Sequence, residues 1–405
     1  MAETKESDTS IPNAQVAFKI ADLNISVYSS FEDIMPQWKE FEVSAPSTVY
    51  QTYAWQKAWQ DTIGKDEGTK PLLITASIDE KIVLLLPLIV IKKSGLITAC
   101  FMGGDHANYK FSLCDPDHFA AISAALPQML EKIATLKTPA IDVFDLTRVP
   151  LKWDGFETPL TAAFTHSPSP ENGGSVSMAN DFDAVLNYGN AKRKRKILRA
   201  QERSLGALGG YEFYNSQNAR EGTEFYQLFL EQKQEWFEQR GITNPFDNAP
   251  TKAFFDALNQ ETESSGDNLL NYTALKADGE ILGIIAHGTF KGQNFGYFTS
   301  MSMNEKYKSI SPGAFIFYKK IEECCLQGLR RFDFGVGGER YKKSWCDEHH
   351  DLVDITLPMT TKGRLFYVAI RLKRHVKQQI KNNDAVWAFF KKWRATLLGS
   401  KKKAQ

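Results

Sequence analysis

The sequence predicts an α/β protein, an α+β sandwich made of two similarly folded domains in tandem, and three observations predict it. The chain has 405 residues, more than one hydrophobic core usually serves, so two domains are expected. Two hairpin signals stand far apart: "PLLITASIDEKIVLLLPLIVIKK" turns at Asp79-Glu80, and "NYTALKADGEILGIIAHGTFKG" turns at Asp278-Gly279. The elements that follow each hairpin repeat in order. A further strand ("GLITACFMGG"; "QNFGYFTSMS") leads through a loop to an amphipathic helix ("PDHFAAISAALPQMLEKIATL"; "PGAFIFYKKIEECCLQGL"). Each helix then leads to a short strand carrying an aspartate, "AIDVFDL" with Asp145 and "RRFDFG" with Asp333.

The remaining segments follow from composition. Residues 1–22 are polar and expected to be disordered, and the first domain runs over 23–165. A stretch rich in Pro, Ser, Gly and Asn, 166–180, is the expected linker. The second domain spans 181–360. It opens with a helix from Phe182 to Leu205 containing "KRKRK" and closes with a strand, "DLVDITLPM". Residues 361–405 form a basic amphipathic helix and tail, in which Trp387, Phe389, Phe390 and Trp393 alternate with Lys391, Lys392 and Arg394. Such a stretch either lies on an anionic membrane surface or docks on the second domain.

Bulk properties exclude several classes. Hydrophobic residues make up 42%, charged residues 24%, and the net charge is +1. That balance argues against a partner of duplex nucleic acid and leaves tRNA open. Five cysteines without C-x-x-C spacing predict neither a disulfide framework nor a metal site. No apolar run reaches the ~18 residues of a membrane span, and no signal core is read at the N-terminus. The expected location is cytoplasmic, with peripheral contact at the inner face of the membrane through the C-terminal helix.

The segment "RRFDFGVGGERYKKSW" carries the most chemistry. It fails the dinucleotide fingerprint, because the sixth position counted from Gly335 is Arg340, and it fails the P-loop pattern, because Lys342 precedes Lys343-Ser344. What remains is a strand end, three glycines that let the chain turn sharply, and the polar side chains Glu339, Arg340, Tyr341 and Lys342. The plain alternative is a solvated turn.

Together with "YQTYAWQKAW", "LLLPLIV", "MGGDHANYKFSL" and "SISPGAFIFYKKIEECCLQGL", this segment resembles the GNAT-like acetyltransferase family associated with bacterial cellulose and exopolysaccharide biosynthesis. The resemblance covers about residues 45 to 350. More distantly, the layout is similar to the peptidoglycan bridge-forming aminoacyltransferases, without the long helical arm some of those carry. The resemblance implies two tandem GNAT-like acyl-CoA N-acyltransferase domains. The donor would be acetyl-CoA or another acyl-CoA, and the acceptor a small-molecule or glycan-linked amine or hydroxyl of an envelope precursor. No metal is implied. An aminoacyl-tRNA-dependent transferase and a non-catalytic module of polysaccharide-synthesis machinery are the alternatives.

Within that frame, Ser311, Pro312 and Gly313 open a helix whose free N–H groups and dipole favour a phosphate. Ser311 would cap, and Gly313 would let the ligand approach. His287 lies on the strand that in this fold lines the acceptor cleft, where it would serve as general base; the plainer reading is a hydrogen-bonded histidine on a sheet face. Asp333 ends a strand toward the ligand. Glu339 is a base or an acceptor-orienting group, and Tyr341 would protonate the leaving thiolate, as the resemblance implies. Arg340 or Lys342 would hold a phosphate or carboxylate. Arg195 and Arg199, on a cationic stripe with Lys192 and Lys196, would meet acceptor phosphates at the cleft between the domains, or form a solvated helix face.

Overall fold

Two tight hairpins set the register of both halves. The computed structural model describes residues 15–136, 139–178, 181–188, 190–238, 243–265, 268–338 and 342–369. In its first half the principal elements are β1 (Val16–Ile20), β2 (Leu23–Tyr28), β3 (Lys70–Ile78), β4 (Lys81–Lys93), β5 (Leu96–Phe101), α1 (Phe119–Leu136) and β6 (Val143–Pro150). The second half adds β7 (Gly173–Ser177), α2 (Ala191–Gly206), α3 (Ala219–Glu238), α4 (Ala249–Ser265), β8 (Asn271–Ala277) and β9 (Glu280–Phe290). It ends with β10 (Gln293–Met301), α5 (Pro312–Leu326), β11 (Arg331–Val336) and β12 (Leu352–Pro358).

Both turn residues of each hairpin have positive φ: Asp79 and Glu80 at 47° and 65°, Asp278 and Gly279 at 53° and 75°. That is the turn whose twist matches paired strands. Each hairpin also carries one extra residue at the same place, the third of its second strand. The register skips Val83 between Ser77↔Ile82 and Ala76↔Leu84, and skips Leu282 between Lys276↔Ile281 and Leu275↔Gly283. The repeat read from element order therefore extends to the bulge.

The second half gives a strand to the first sheet. The first sheet has the order β1-β2-β3-β4-β5-β6-β12, then Ser167–Pro168, with Leu113–Cys114 paired to β4. The second runs from Glu212–Asn215 through β8-β9-β10-β11-β7 to Glu348–His350. Hence β12, expected as the last strand of the second domain, is antiparallel to β6 in the first sheet, from Leu352↔Pro150 to Pro358↔Val143. The stretch 166–180, expected as a linker, supplies a strand to each sheet. The helix expected from Phe182 to Leu205 is two, Phe182–Leu186 and α2.

The two halves also share an apolar core. Trp38, Trp55, Trp59 and Trp153 of the first and Phe229, Phe254, Tyr272 and Phe295 of the second are buried in one cluster. Trp55 meets Phe254 at 5.1 Å, and Tyr50 meets Phe295 at 6.0 Å. Where a cleft between the domains was expected, aromatic rings of the two halves pack together. A second cluster, with Leu275, Ile285, Phe315 and Ile316, lies between the second sheet and α5. The C-terminal amphipathic helix lies outside the described residues beyond 369.

Candidate functional site

The parallel ladder between β10 and β11 is three pairs long: Gln293↔Arg331, Asn294↔Phe332 and Phe295↔Asp333. Beyond it the strands part, and on the other edge of β10 Tyr297 is an extra residue between Gly296↔His287 and Phe298↔Ala286. A bulge of this kind bends and twists its strand. Tyr297 is held there by its hydroxyl, which donates to the Leu269 carbonyl at 2.6 Å. Peptide groups on the parting edges have no ladder partner across the gap.

The gap holds a cavity of about 200 Å³. Its walls are Gly296 to Thr299 of β10, Phe334 and Val336 of β11, and Phe317 of α5, with Lys233 and Lys342 contributing charge. Pockets that enclose a whole drug-sized ligand measure about 300–1,000 Å³. This space suits one end of a ligand rather than all of it.

One wall comes from the other half of the chain. Asn108, in the loop after β5, lines the cavity and donates its amide N–H to the Tyr50 hydroxyl at 2.6 Å. Its carbonyl oxygen accepts from Val336 N at 3.4 Å. Gly335 makes this approach possible: its φ is 69°, and a Cβ there would stand 2.4 Å from Asn108 Nδ2. Sequence reasoning missed Asn108 as a site residue. The signal was the motif "MGGDHANYKFSL", whose destination in the other half only the fold reveals.

Asp333 lies in the middle of β11, not at a strand end open to ligand, and is fully buried. It accepts from Tyr109 Oη at 2.7 Å and from Gly335 N at 2.7 Å, with His350 Nε2 at 3.5 Å. Burial pushes its carboxyl up to about 6, opposed by those hydrogen bonds, Lys342 and Arg331. His350 goes the other way, to about 4, through burial and the Arg331 charge. Tyr109 belongs to the first half. Gly173 makes room for it, since a Cβ there would stand 2.2 Å from Tyr109 Oη.

His287 does not line the cavity. It is 3% exposed, with Thr273 Oγ1 at 3.0 Å from Nε2 and Asn294 Nδ2 at 3.0 Å from Nδ1. Burial, and then Lys320, hold its pKa well below the ordinary value. A donor on Nδ1 leaves the proton on Nε2, so the ring is neutral and spent on structure. The expected general base is corrected to a buried sheet-face histidine.

The start of α5 also differs from expectation. Ser311 is left-handed (φ 54°) and makes no side-chain cap. Pro312 and Gly313 are buried, and a Cβ on Gly313 would stand 2.1 Å from Met301 Sδ. The glycine is thus explained by the Met301 contact. Gln201 of α2 donates to the carbonyls of Ile310 (2.9 Å) and Ser311 (3.2 Å), tying the cationic helix to this turn.

On α2, Lys192, Arg195, Lys196, Arg199 and Arg203 line one outer groove. Arg195 is paired with Asp183 at 3.1 Å, and Arg199 is exposed. Lys342 is 7% exposed and donates to the carbonyls of Val336 (2.8 Å) and Gly335 (3.3 Å). It fastens the chain after β11 while lining the cavity. Glu339, Arg340 and Tyr341 lie outside the described residues, between the lining residues Val336 and Lys342.

The five cysteines are free, and burial pushes each thiol up to about 11 or 12, so none is a poised thiolate. Among the described residues no group of His, Cys, Asp or Glu could hold a metal ion. No described helix is long and apolar enough to cross a membrane.

Residues 192–343 match the sequence model of the acetyltransferase (GNAT) domain. No curated protein matches the chain by sequence. Among solved structures, FemX is 13% identical and superposes with a TM-score of 0.58 over 83% of this chain and 98% of its own. A conserved protein of unknown function from Bacteroides thetaiotaomicron VPI-5482 is 12% identical, with a TM-score of 0.51 over 81% and 97%. The C-terminal domain (DUF2156) of a provisionally assigned lysylphosphatidylglycerol synthetase from Agrobacterium fabrum is 10% identical, with a TM-score of 0.51 over 84% and 95%. At such identities the likeness is one of fold. The fold is α/β, and the stretch that matches the acetyltransferase (GNAT) domain lies in the second half.

Proposed function

We propose that this chain moves an acyl group from a CoA thioester to an amine or hydroxyl of a sugar-linked or cell-envelope precursor, in exopolysaccharide biosynthesis. The observation that carries the transfer reading is the cavity where β10 and β11 part, inside the segment matching the GNAT domain. The thioester carbonyl would enter the gap between the strands. The Asn108 amide and the Lys342 ammonium would face the oxyanion that forms when the acceptor attacks. Fixed donors aimed at developing charge are worth about 10²–10³ in rate each.

The remaining roles are proposals on the chain's own residues. Glu339 takes the proton from the attacking amine, and Tyr341 delivers one to the departing thiolate. Arg340 binds acceptor phosphate or carboxylate. Arg195 and Arg199, on the groove of α2, meet acceptor phosphates. Peripheral membrane contact through 361–405 belongs to the same proposal.

A second reading, aminoacyl transfer from charged tRNA, is favoured by the cationic groove of α2 and by likeness to a protein named for joining lysine to phosphatidylglycerol. One experiment separates the two. The purified chain is titrated calorimetrically with acetyl-CoA, and the titration is repeated on Val336→Trp, which fills the cavity from its rim. Binding by the natural chain that the variant loses supports the thioester reading. Absence of heat with acetyl-CoA and longer acyl-CoAs, together with transfer from charged tRNA, would replace it by the second.

A further inference from the structure

We propose that the first domain carries a separate binding site for a small amine-bearing ring, an aminated sugar, in a cavity of about 450 Å³ beside the start of α1. Its position mirrors the Ser311 turn: each lies where a sheet hands over to the long helix of its domain. Its chemistry is inverted. The turn Pro116–His118 that precedes α1 is capped by Asp115, whose Oδ1 accepts from Asp117 N at 3.1 Å, and Asp117 is exposed at the cavity rim. Glu157 stands opposite on the hairpin Lys152–Trp153/Phe156–Glu157. No lysine or arginine is among the residues around this cavity. Lys152, outside the lining, is 3.3 Å from Glu157 in an exposed pair that water screens. The local field repels phosphate and attracts an ammonium group.

Aromatic rings supply the second half of the argument. Phe111 is buried in the wall, Phe119 is half-buried at the start of α1, and Phe156 is 48% exposed on the hairpin. Faces of such rings attract cations and the C–H faces of sugars. Phe156 is held at the rim by its hairpin, whose tip residue Asp154 pairs with Arg330 (2.8 Å) and Arg331 (2.9 Å) of the other half. Ser112, which also lines the cavity, has a buried hydroxyl without a partner. Rotation about its side-chain bond would offer that hydroxyl to a ligand. The volume lies within the range that encloses a small molecule, about 300–1,000 Å³, so a whole hexose ring fits.

The site stands independently of the transfer reading. Its test uses the full chain with glucosamine, N-acetylglucosamine and glucuronate, followed by ligand-observed saturation-transfer NMR and calorimetry. Glucosamine should bind best, the neutral sugar more weakly, and glucuronate not at all. Phe156→Ala, a change at an exposed position, should weaken glucosamine about tenfold, and so should Asp117→Asn combined with Glu157→Gln. Val336→Trp should leave glucosamine binding intact, which distinguishes this cavity from the one between β10 and β11. Glucuronate binding as well as glucosamine, no saturation of glucosamine, or unchanged binding in both rim variants would each overturn the proposal.

Discussion

The two domains part their strands at the same place and treat the gap in opposite ways. In the first, β5 and β6 are parallel for two pairs, Thr98↔Val143 and Ala99↔Phe144. The chain then fills its own opening. Met102, Ala107, Tyr109 and Phe111 of the following loop are buried, and Lys110 N donates to the Arg148 carbonyl at 3.1 Å. In the second domain, β10 and β11 part after three pairs and the gap remains a cavity. The same architecture therefore yields a plugged scaffold and an open site, and the plug of one half supplies Asn108 and Tyr109 to the other. A duplicated fold can specialise by what fills one gap, without altering the sheet.

Filling the open gap is the sharpest way to break this comparison. Val336→Trp should lower acyl transfer by at least about 10²-fold, the scale of losing a positioned reacting geometry, with a far-ultraviolet spectrum like that of the natural chain. Unchanged turnover would mean the chemistry lies elsewhere. The plug comes next. Tyr109→Phe removes one of the two close donors to buried Asp333 and should cost about 1–3 kcal/mol in urea unfolding. Little change in midpoint would show that the carboxyl is satisfied without the first domain.

Asn108→Ala tests whether the first half takes part in the chemistry. Turnover should fall about 10²-fold with the donor's KM nearly unchanged, because the amide would act on the forming oxyanion. A rise in KM alone would make Asn108 a wall of the cavity only.

Acidification gives a smaller and graded effect. His106 and His350 are held near 4 and His287 well below its ordinary value, chiefly by burial. Between pH 6.5 and 4 the unfolded chain binds protons on these rings that the folded chain refuses, so stability is lost as pH falls. Asp333, raised to about 6, acts in the opposite sense, because the folded chain keeps a proton between about pH 4 and 6 that the unfolded chain releases. Three rings oppose one carboxyl, so the melting temperature should drop between pH 7 and 5. His350→Asn should flatten part of that slope, and a melting temperature that rises on acidification would contradict the burial of the rings.

Much of the local architecture could be read from the chain before folding. Asp79-Glu80 and Asp278-Gly279 mark their hairpins because few residues accept two successive left-handed positions. The spacing of Ile122, Leu126, Met129 and Ile133 defines the face of α1, because a helix repeats every 3.6 residues. The matched segment at 192–343 belongs to the same legible layer. Tertiary structure alone decided the rest. Nothing local tells β12 to leave its own half for β6, since a strand's alternating pattern is satisfied by either sheet. Nothing local distinguishes His287 as a base from His287 as a buried neutral ring, because that depends on Thr273, Asn294 and Lys320 arriving from other strands and from α5. Asn108 and Val336 are 228 residues apart along the chain. Periodicity and turn chemistry act over a few residues, whereas burial, charge and hydrogen-bond partners are set by whatever the fold brings into contact.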